Sequence, residues 1–78
     1  FRVEVCVTAS DRPRLLEDLS RTFGEHGVNI ISAHCAMESQ LVEDRFVVDV
    51  GDVETLKTVI NALRNVESVF DAYRVTPG

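Results

Sequence analysis

The chain has 78 residues, of which 45% are hydrophobic and 27% are charged, and its formal net charge is −5. This length predicts a single domain over residues 1–78 and leaves little material for a deep catalytic cleft. The acidic balance disfavours a free-standing nucleic-acid-binding protein or a membrane-surface binder, because both need a basic face. No apolar run approaches the about 18 residues of a membrane span, and no secretory signal is visible, so we expect a cytoplasmic location and no membrane partner.

The N-terminal third predicts a strand followed by a helix. Over residues 1–9, hydrophobic side chains at odd positions alternate with mostly polar ones, which is typical of a strand with one buried face. Ser10 or Asp11 then caps a helix whose first turn tolerates Pro13, and Gly27 is the expected helix end. The apolar residues that recur at helical spacing are Leu15, Leu16, Leu19 and Phe23. Since the chain begins with Phe1 directly in a strand pattern, we expect a domain cut from a larger protein.

The remainder predicts three strands and a second helix. The turn between the middle strands falls within Glu38–Asp44, where no Gly or Pro places it more closely, and Glu43 and Asp44 are predicted to be solvated turn residues. Pro77-Gly78 is expected to end the last strand. The predicted elements are a strand from Val28 to about Ser39, a strand over Arg45–Val50, a helix from Asp52 to Asn65 and a strand over Val69–Thr76.

The element order βαββαβ predicts an α+β, ferredoxin-like fold, in which two helices cover one face of a four-stranded antiparallel sheet. The opposite face would then carry Ile30, Ala36 and Val47, which makes it too apolar for water. We therefore expect a homodimer, formed through this face or through the strand edges.

Other functions of this fold leave residues that are missing here. An RNA-recognition module needs base-stacking aromatics, and the third strand reads Arg-Phe-Val-Val-Asp over residues 45–49. A metal chaperone would carry Cys-x-x-Cys after the first strand, where residues 10–13 read Ser-Asp-Arg-Pro. An acylphosphatase stays a remote alternative, because Arg12 lies in the right loop without the glycines that would hold a phosphate.

No catalytic set, metal site or cofactor site is predicted. His26 is expected near a helix C-terminus, where a partly positive imidazole is favourable. His34 and Cys35 are adjacent in a strand, so their side chains point to opposite faces and cannot chelate together. Cys6 and Cys35 are expected to stay free thiols, although neighbouring strands would bring them near disulfide range.

Two stretches resemble the signature of ACT domains. Residues 11–16 read Asp-Arg-Pro-Arg-Leu-Leu, and residues 27–30 read Gly-Val-Asn-Ile. The family usually carries Asp/Asn-x-Pro-Gly-x-Leu in the first loop and Gly-x-Asn-Ile at the start of the second strand. The resemblance implies a regulatory domain in which helix-start amides face that strand and receive an amino-acid effector between two domains. The residues of the implied effector site are Asp11, Arg12, Pro13, Arg14, Asn29 and Ile30.

Arg14 departs from the family pattern, because amino-acid-binding members most often carry glycine there. An arginine side chain would crowd or occupy the site that glycine leaves open. Alternatively, Arg14 points outward and pairs with Glu17 or Asp18. Asp11 can equally be a plain helix cap, and Asn29 can equally make a turn-side hydrogen bond.

The arginine is shared by one subfamily. Asp-Arg-x-Arg-Leu-Leu, Val-Asn-Ile and the closing Val-Phe-Asp-Ala-Tyr-Arg-Val of residues 69–75 resemble the C-terminal ACT domain of Rel enzymes, which make and degrade (p)ppGpp. That resemblance implies a non-catalytic domain of the stringent response, whose partners are the rest of its own polypeptide, a second copy, the ribosome and uncharged tRNA, or an amino acid. The alternative is an amino-acid-binding ACT domain of a biosynthetic enzyme.

Overall fold

A four-stranded antiparallel sheet forms the centre of the computed structural model, which describes residues 1–76. The strands lie in the order β2-β3-β1-β4, which confirms the ferredoxin-like prediction. Pro77-Gly78, predicted to end the last strand, lies outside the described residues. The elements are β1 (Arg2–Ser10), α1 (Leu15–Glu25), β2 (Asn29–Glu38), β3 (Leu41–Asp49), α2 (Val53–Arg64) and β4 (Val69–Val75). Within residues 1–76, neither helix is long and apolar enough to cross a membrane.

The core lies between the helices and one face of the sheet, and the predicted alternation builds it. Val5 and Val7 of β1 are completely buried, as are Leu19 and Phe23 of α1. The Phe23 ring packs against Phe46 of β3 with 5.0 Å between centroids. Each such side chain stabilises the fold by about 1.5–3 kcal/mol through removal of apolar surface from water. Because few large side chains fill so small a core, each one matters for stability.

The hairpin between β2 and β3 is tighter than predicted. β3 begins at Leu41, not at Arg45, and only Ser39 and Gln40 form the turn. Ser39 has a positive φ of 58°, a conformation that turns usually assign to Gly or Asn, so no typical turn residue marked the place. The prediction that Glu43 and Asp44 are turn residues is therefore wrong.

The uncovered face of the sheet carries two of the three predicted apolar residues, Ala36 and Val47, but not Ile30. The ladder between β2 and β3 shifts register between Ile30 and Ser32, and this irregularity turns Ile30 to the helix side, where it packs against the core. On the uncovered face, the Arg45 guanidinium bonds the carboxylates of Glu4 at 3.1 Å and Glu43 at 3.0 Å. The predicted position of Ile30 on this face is wrong, because the register shift interrupts the alternation of side chains between the two faces of the sheet.

The two cysteines lie on strands that are not neighbours. Cys6 is in β1 and Cys35 is in β2, with β3 between them. Both thiols are free, Cys6 buried and Cys35 exposed. The expectation of neighbouring strands is therefore wrong, while free thiols agree with the separation.

Candidate functional site

The loop between β1 and α1 holds Arg14 in the left-handed conformation. Arg14 has φ 67° and ψ 11° and occupies the N-cap of α1, without a side-chain capping bond. This conformation costs a non-glycine residue about 1–2 kcal/mol, which gives a backbone reason for the family's usual glycine. Asp11 is not the helix cap, because α1 starts only at Leu15, and its amide donates to the Gln40 carbonyl at 2.8 Å instead.

Arg12 ties this loop to two other parts of the chain. Its Nη2 lies 2.9 Å from Oδ2 of Asp18 in α1, and its Nε donates to the Glu67 carbonyl at 3.0 Å, before β4. The hydrogen bond from Arg12 lowers the pKa of Asp18, and burial only partly offsets it. Arg12 therefore positions the loop.

The outward pairing of Arg14 with Glu17 or Asp18 is absent from the described structure. Asp18 pairs with Arg12 and Arg21 instead, and Glu17 pairs with Arg21.

A groove of about 220 Å³ lies between the start of α1, the C-terminal end of β2 and the N-terminal end of β3. Leu16, Met37 and Val42 give it apolar walls, and Asp11, Arg14 and Asp44 add charge. Leu16 and Met37 are more than half exposed, so the groove opens to solvent. Within residues 1–76, the backbone amides of Leu16 and Glu17 have no hydrogen-bond acceptor, as helix starts commonly leave them.

Asp44 is a buried residue of this groove that sequence reasoning missed. It is only 4% exposed, and its Oδ1 atom is buried without a hydrogen-bond partner in the described structure. The pKa of the Cys35 thiol is raised to about 11. The main cause is a hydrogen bond with the Asp44 carboxylate, and desolvation of the thiol is the second cause. The sequence did contain a signal for this burial. Every second residue of β3 from Val42 to Val48 is buried, and Asp44 is the one member of this alternating set that is not apolar.

Asn29 and Ile30 lie at the opposite end of the sheet from this groove. Asn29 is opposite Asp49, whereas Glu38 is opposite Leu41 at the end where α1 begins. The eight residue steps of β1 between these ends correspond to about 26 Å. Of the six predicted site residues, Asp11, Arg12 and Arg14 line the groove, while Pro13 lies in the same loop. One chain therefore does not bring both motifs into one site, and the Asn29 side chain makes no hydrogen bond within residues 1–76.

Metal-ligating side chains are scattered rather than grouped. Across residues 1–76, no three His, Cys, Asp or Glu side chains are close enough to hold a metal ion. The features that stand out are an open apolar groove, unpaired helix-start amides and a buried carboxylate. Together with the ferredoxin-like sheet, they describe a small α+β domain with an open groove on its surface.

The profile of the ACT domain matches residues 1–74, and the chain belongs to the ACT domain family. Several curated relatives that match nearly the whole chain are Rel-type proteins. It is 43% identical over 79 residues to the GTP pyrophosphokinase of Streptomyces antibioticus, covering 100% of this chain and 9% of that protein. It is 44% identical over 77 residues to the bifunctional (p)ppGpp synthase/hydrolase RelA of Mycobacterium tuberculosis, covering 97% and 10%. The chain thus spans about a tenth of the length of these relatives.

Solved structures show the same fold. The ACT domain from the GTP pyrophosphokinase of Chlorobium tepidum superposes with a TM-score of 0.84 at 17% identity, covering 96% of this chain and 97% of that one. The acetolactate synthase small subunit of Thermotoga maritima gives 0.83 at 18% identity, covering 99% and 48%. At such identities the likeness shows the fold alone.

Proposed function

We propose that this chain is the regulatory ACT domain of a cytoplasmic, bifunctional (p)ppGpp synthetase/hydrolase and carries out no chemistry itself. The observation that carries the proposal is the match to Rel-type relatives over essentially the whole chain at 43–44% identity. The biosynthetic alternative rests only on likeness of fold. Because the relatives are about ten times longer, the domain's first partner is the rest of its own polypeptide, and its signal is a coupling between distant sites.

A second copy would bring the two halves of the ACT signature together. β2 is an edge strand, and every residue in it except Ile30 is exposed. It contains no Lys or Pro, the residues that commonly protect an edge from pairing. Antiparallel pairing of two β2 strands around a two-fold axis places the start of one strand beside the end of the other. Asn29 and Ile30 of one copy then approach the loop of Asp11, Arg12, Pro13 and Arg14 in the other.

The proposed inputs are an amino acid in this shared site and contacts with the ribosome and uncharged tRNA in the full-length protein. An acidic domain of net charge −5 contributes few phosphate contacts by itself, so RNA contacts would need the neighbouring domains. An effector that favours one arrangement of the two copies would shift the balance of the attached catalytic domains.

Sequencing the gene upstream of Phe1 tests the assignment. A His-Asp phosphohydrolase pattern followed by a nucleotidyltransferase pattern is expected. Upstream domains of an amino-acid biosynthetic enzyme would contradict the proposal and support the alternative.

A further inference from the structure

The buried carboxyl group of Asp44 lines the groove beside α1 and takes part in no ion pair within residues 1–76. Asp44 is 96% removed from solvent, and its Oδ1 atom has no hydrogen-bond partner within residues 1–76. The carboxyl group of Asp44 already has a hydrogen bond with the Cys35 thiol. The buried Oδ1 atom without a partner is unfavourable, and a native protein that retains such an atom calls for an explanation such as a bound ligand or ion. We propose that Asp44 accepts the protonated primary amine of a small ligand bound in this groove. The inference deepens the proposed effector site by naming the residue that selects the ligand's charge.

The surroundings of Asp44 favour a cation. An ionised carboxylate only accepts hydrogen bonds, so its partner must be a donor, and a primary ammonium offers three. Asp11 lines the same groove and adds a second negative charge. Of the two arginines there, Arg12 is held by Asp18, and Arg14 makes no ion pair within residues 1–76. Because the Arg14 guanidinium is not held by another group, we expect it to compete with a ligand for this carboxylate.

The rest of the groove fits the stem of such a ligand. Leu16, Met37 and Val42 supply apolar walls next to Asp44. The unpaired amides of Leu16 and Glu17, at the positive end of the α1 dipole, can receive a carboxylate. A simple amine would use only the Asp44 end, and an α-amino acid would use both ends. The carboxylate of the ligand therefore distinguishes an amino acid from a simple amine, while both ligands need Asp44 for their ammonium group.

Three ligands with one carbon skeleton separate these contacts: leucine, 3-methylbutylamine, which lacks the carboxylate, and 4-methylpentanoate, which lacks the amine. Each is titrated into the 15N-labelled chain and into Arg14→Gly, and dissociation constants are taken from amide shifts. Shifts are expected around Asp44, Cys35 and the start of α1. Leucine and 3-methylbutylamine should bind with higher affinity than 4-methylpentanoate, and Arg14→Gly should tighten both. Equal or better binding of 4-methylpentanoate, or no binding of any ligand to either protein, would overturn the inference.

Asp44→Asn in the Arg14→Gly chain removes the charge and keeps the shape. It should weaken leucine and 3-methylbutylamine at least about tenfold, as expected for a lost charge-assisted hydrogen bond. Glu43→Gln is the matched control, since it removes a neighbouring charge that faces the other side of the sheet. Equal losses in both variants, or no loss in Asp44→Asn, would refute the role of Asp44. Neither result bears on the parent protein's identity, which the upstream gene sequence decides separately.

Discussion

The guanidinium of Arg12 lies 2.9 Å from the carboxylate of Asp18, across the first turn of α1. The same guanidinium also bonds the carbonyl of Glu67, 55 residues away in the chain. The Arg12 side chain thus anchors the loop between β1 and α1 both to α1 and to the segment before β4. A residue expected from the family resemblance to bind an effector acts here as a positioning residue.

Arg12→Ala should destabilise the domain, because it removes three hydrogen bonds and leaves the Glu67 carbonyl and Asp18 without this donor. Urea unfolding should show a lower midpoint with an unchanged slope. Arg21→Ala is the control, since Arg21 also contacts Asp18 but is 56% exposed and should matter much less. Equal effects of the two substitutions would contradict the fastening role of Arg12.

The same pair predicts a dependence of stability on acid. Arg12 lowers the pKa of Asp18 below its ordinary value of 3.8 in the folded state. The unfolded chain therefore binds the proton more readily, so this contribution is present above pH 3.8 and is lost as the pH falls through the lowered pKa. In Asp18→Asn, the free energy of unfolding should fall less steeply with acid below about pH 4 than in the unaltered chain. Parallel profiles by urea unfolding would argue against this linkage.

Arg14→Gly should raise the free energy of unfolding by about 1 kcal/mol, because glycine adopts a φ of 67° without the strain that arginine carries. Arg14→Ala is the control, since it removes the side chain but keeps a Cβ in the same strained backbone. Chemical denaturation should separate the two variants by roughly that amount. If alanine stabilises as much as glycine, the cost lies in the arginine side chain instead.

Cys35 should react slowly with alkylating reagents although it is exposed. Its pKa of about 11, raised by Asp44, leaves little of the reactive thiolate near neutral pH. Asp44→Asn should accelerate alkylation at about pH 8 by at least about tenfold. Mass spectrometry can follow the modification, with buried Cys6 as the internal control for unfolding. An unchanged rate would mean that Asp44 does not set the reactivity of Cys35.

Pairing through β2 predicts a dimer at tens of micromolar by sedimentation equilibrium. His34→Lys places a charge in the middle of this exposed strand and should shift the equilibrium towards monomer. Ser20→Lys adds the same charge on the exposed side of α1 and should leave the dimer intact. A strictly monomeric chain, or equal effects of the two substitutions, would exclude assembly through this edge.

The sequence predicted the elements that hydrophobic periodicity controls. Alternation in β1 and helical spacing from Leu15 to Phe23 depend only on neighbours in the chain, and both were correct. The start of β3 was missed because Ser39 turns the chain without Gly or Pro. The face occupied by Ile30 was missed because a register shift depends on how β2 and β3 pair, which local pattern does not reveal.

The site was predictable only in part for the same reason. The resemblance identified the Asp11–Arg14 loop, which does line the groove with three of its residues. It did not reveal that Asn29 lies at the far end of the sheet, since that follows from the direction of β2 relative to β3. The burial of Asp44 was not predicted, because three consecutive charged residues, Glu43, Asp44 and Arg45, are typical of a turn. Their position within β3 became clear only from the structure.

The central claim, that this domain regulates attached (p)ppGpp-synthesising and (p)ppGpp-degrading activities, is tested most directly in the full-length protein. Both activities should be measured with and without residues 1–78, in the absence and presence of ribosomes carrying uncharged tRNA. Both proteins should be active, but only the complete one should change its ratio of synthesis to hydrolysis when the ribosomes are added. The same change in both proteins would contradict the claim.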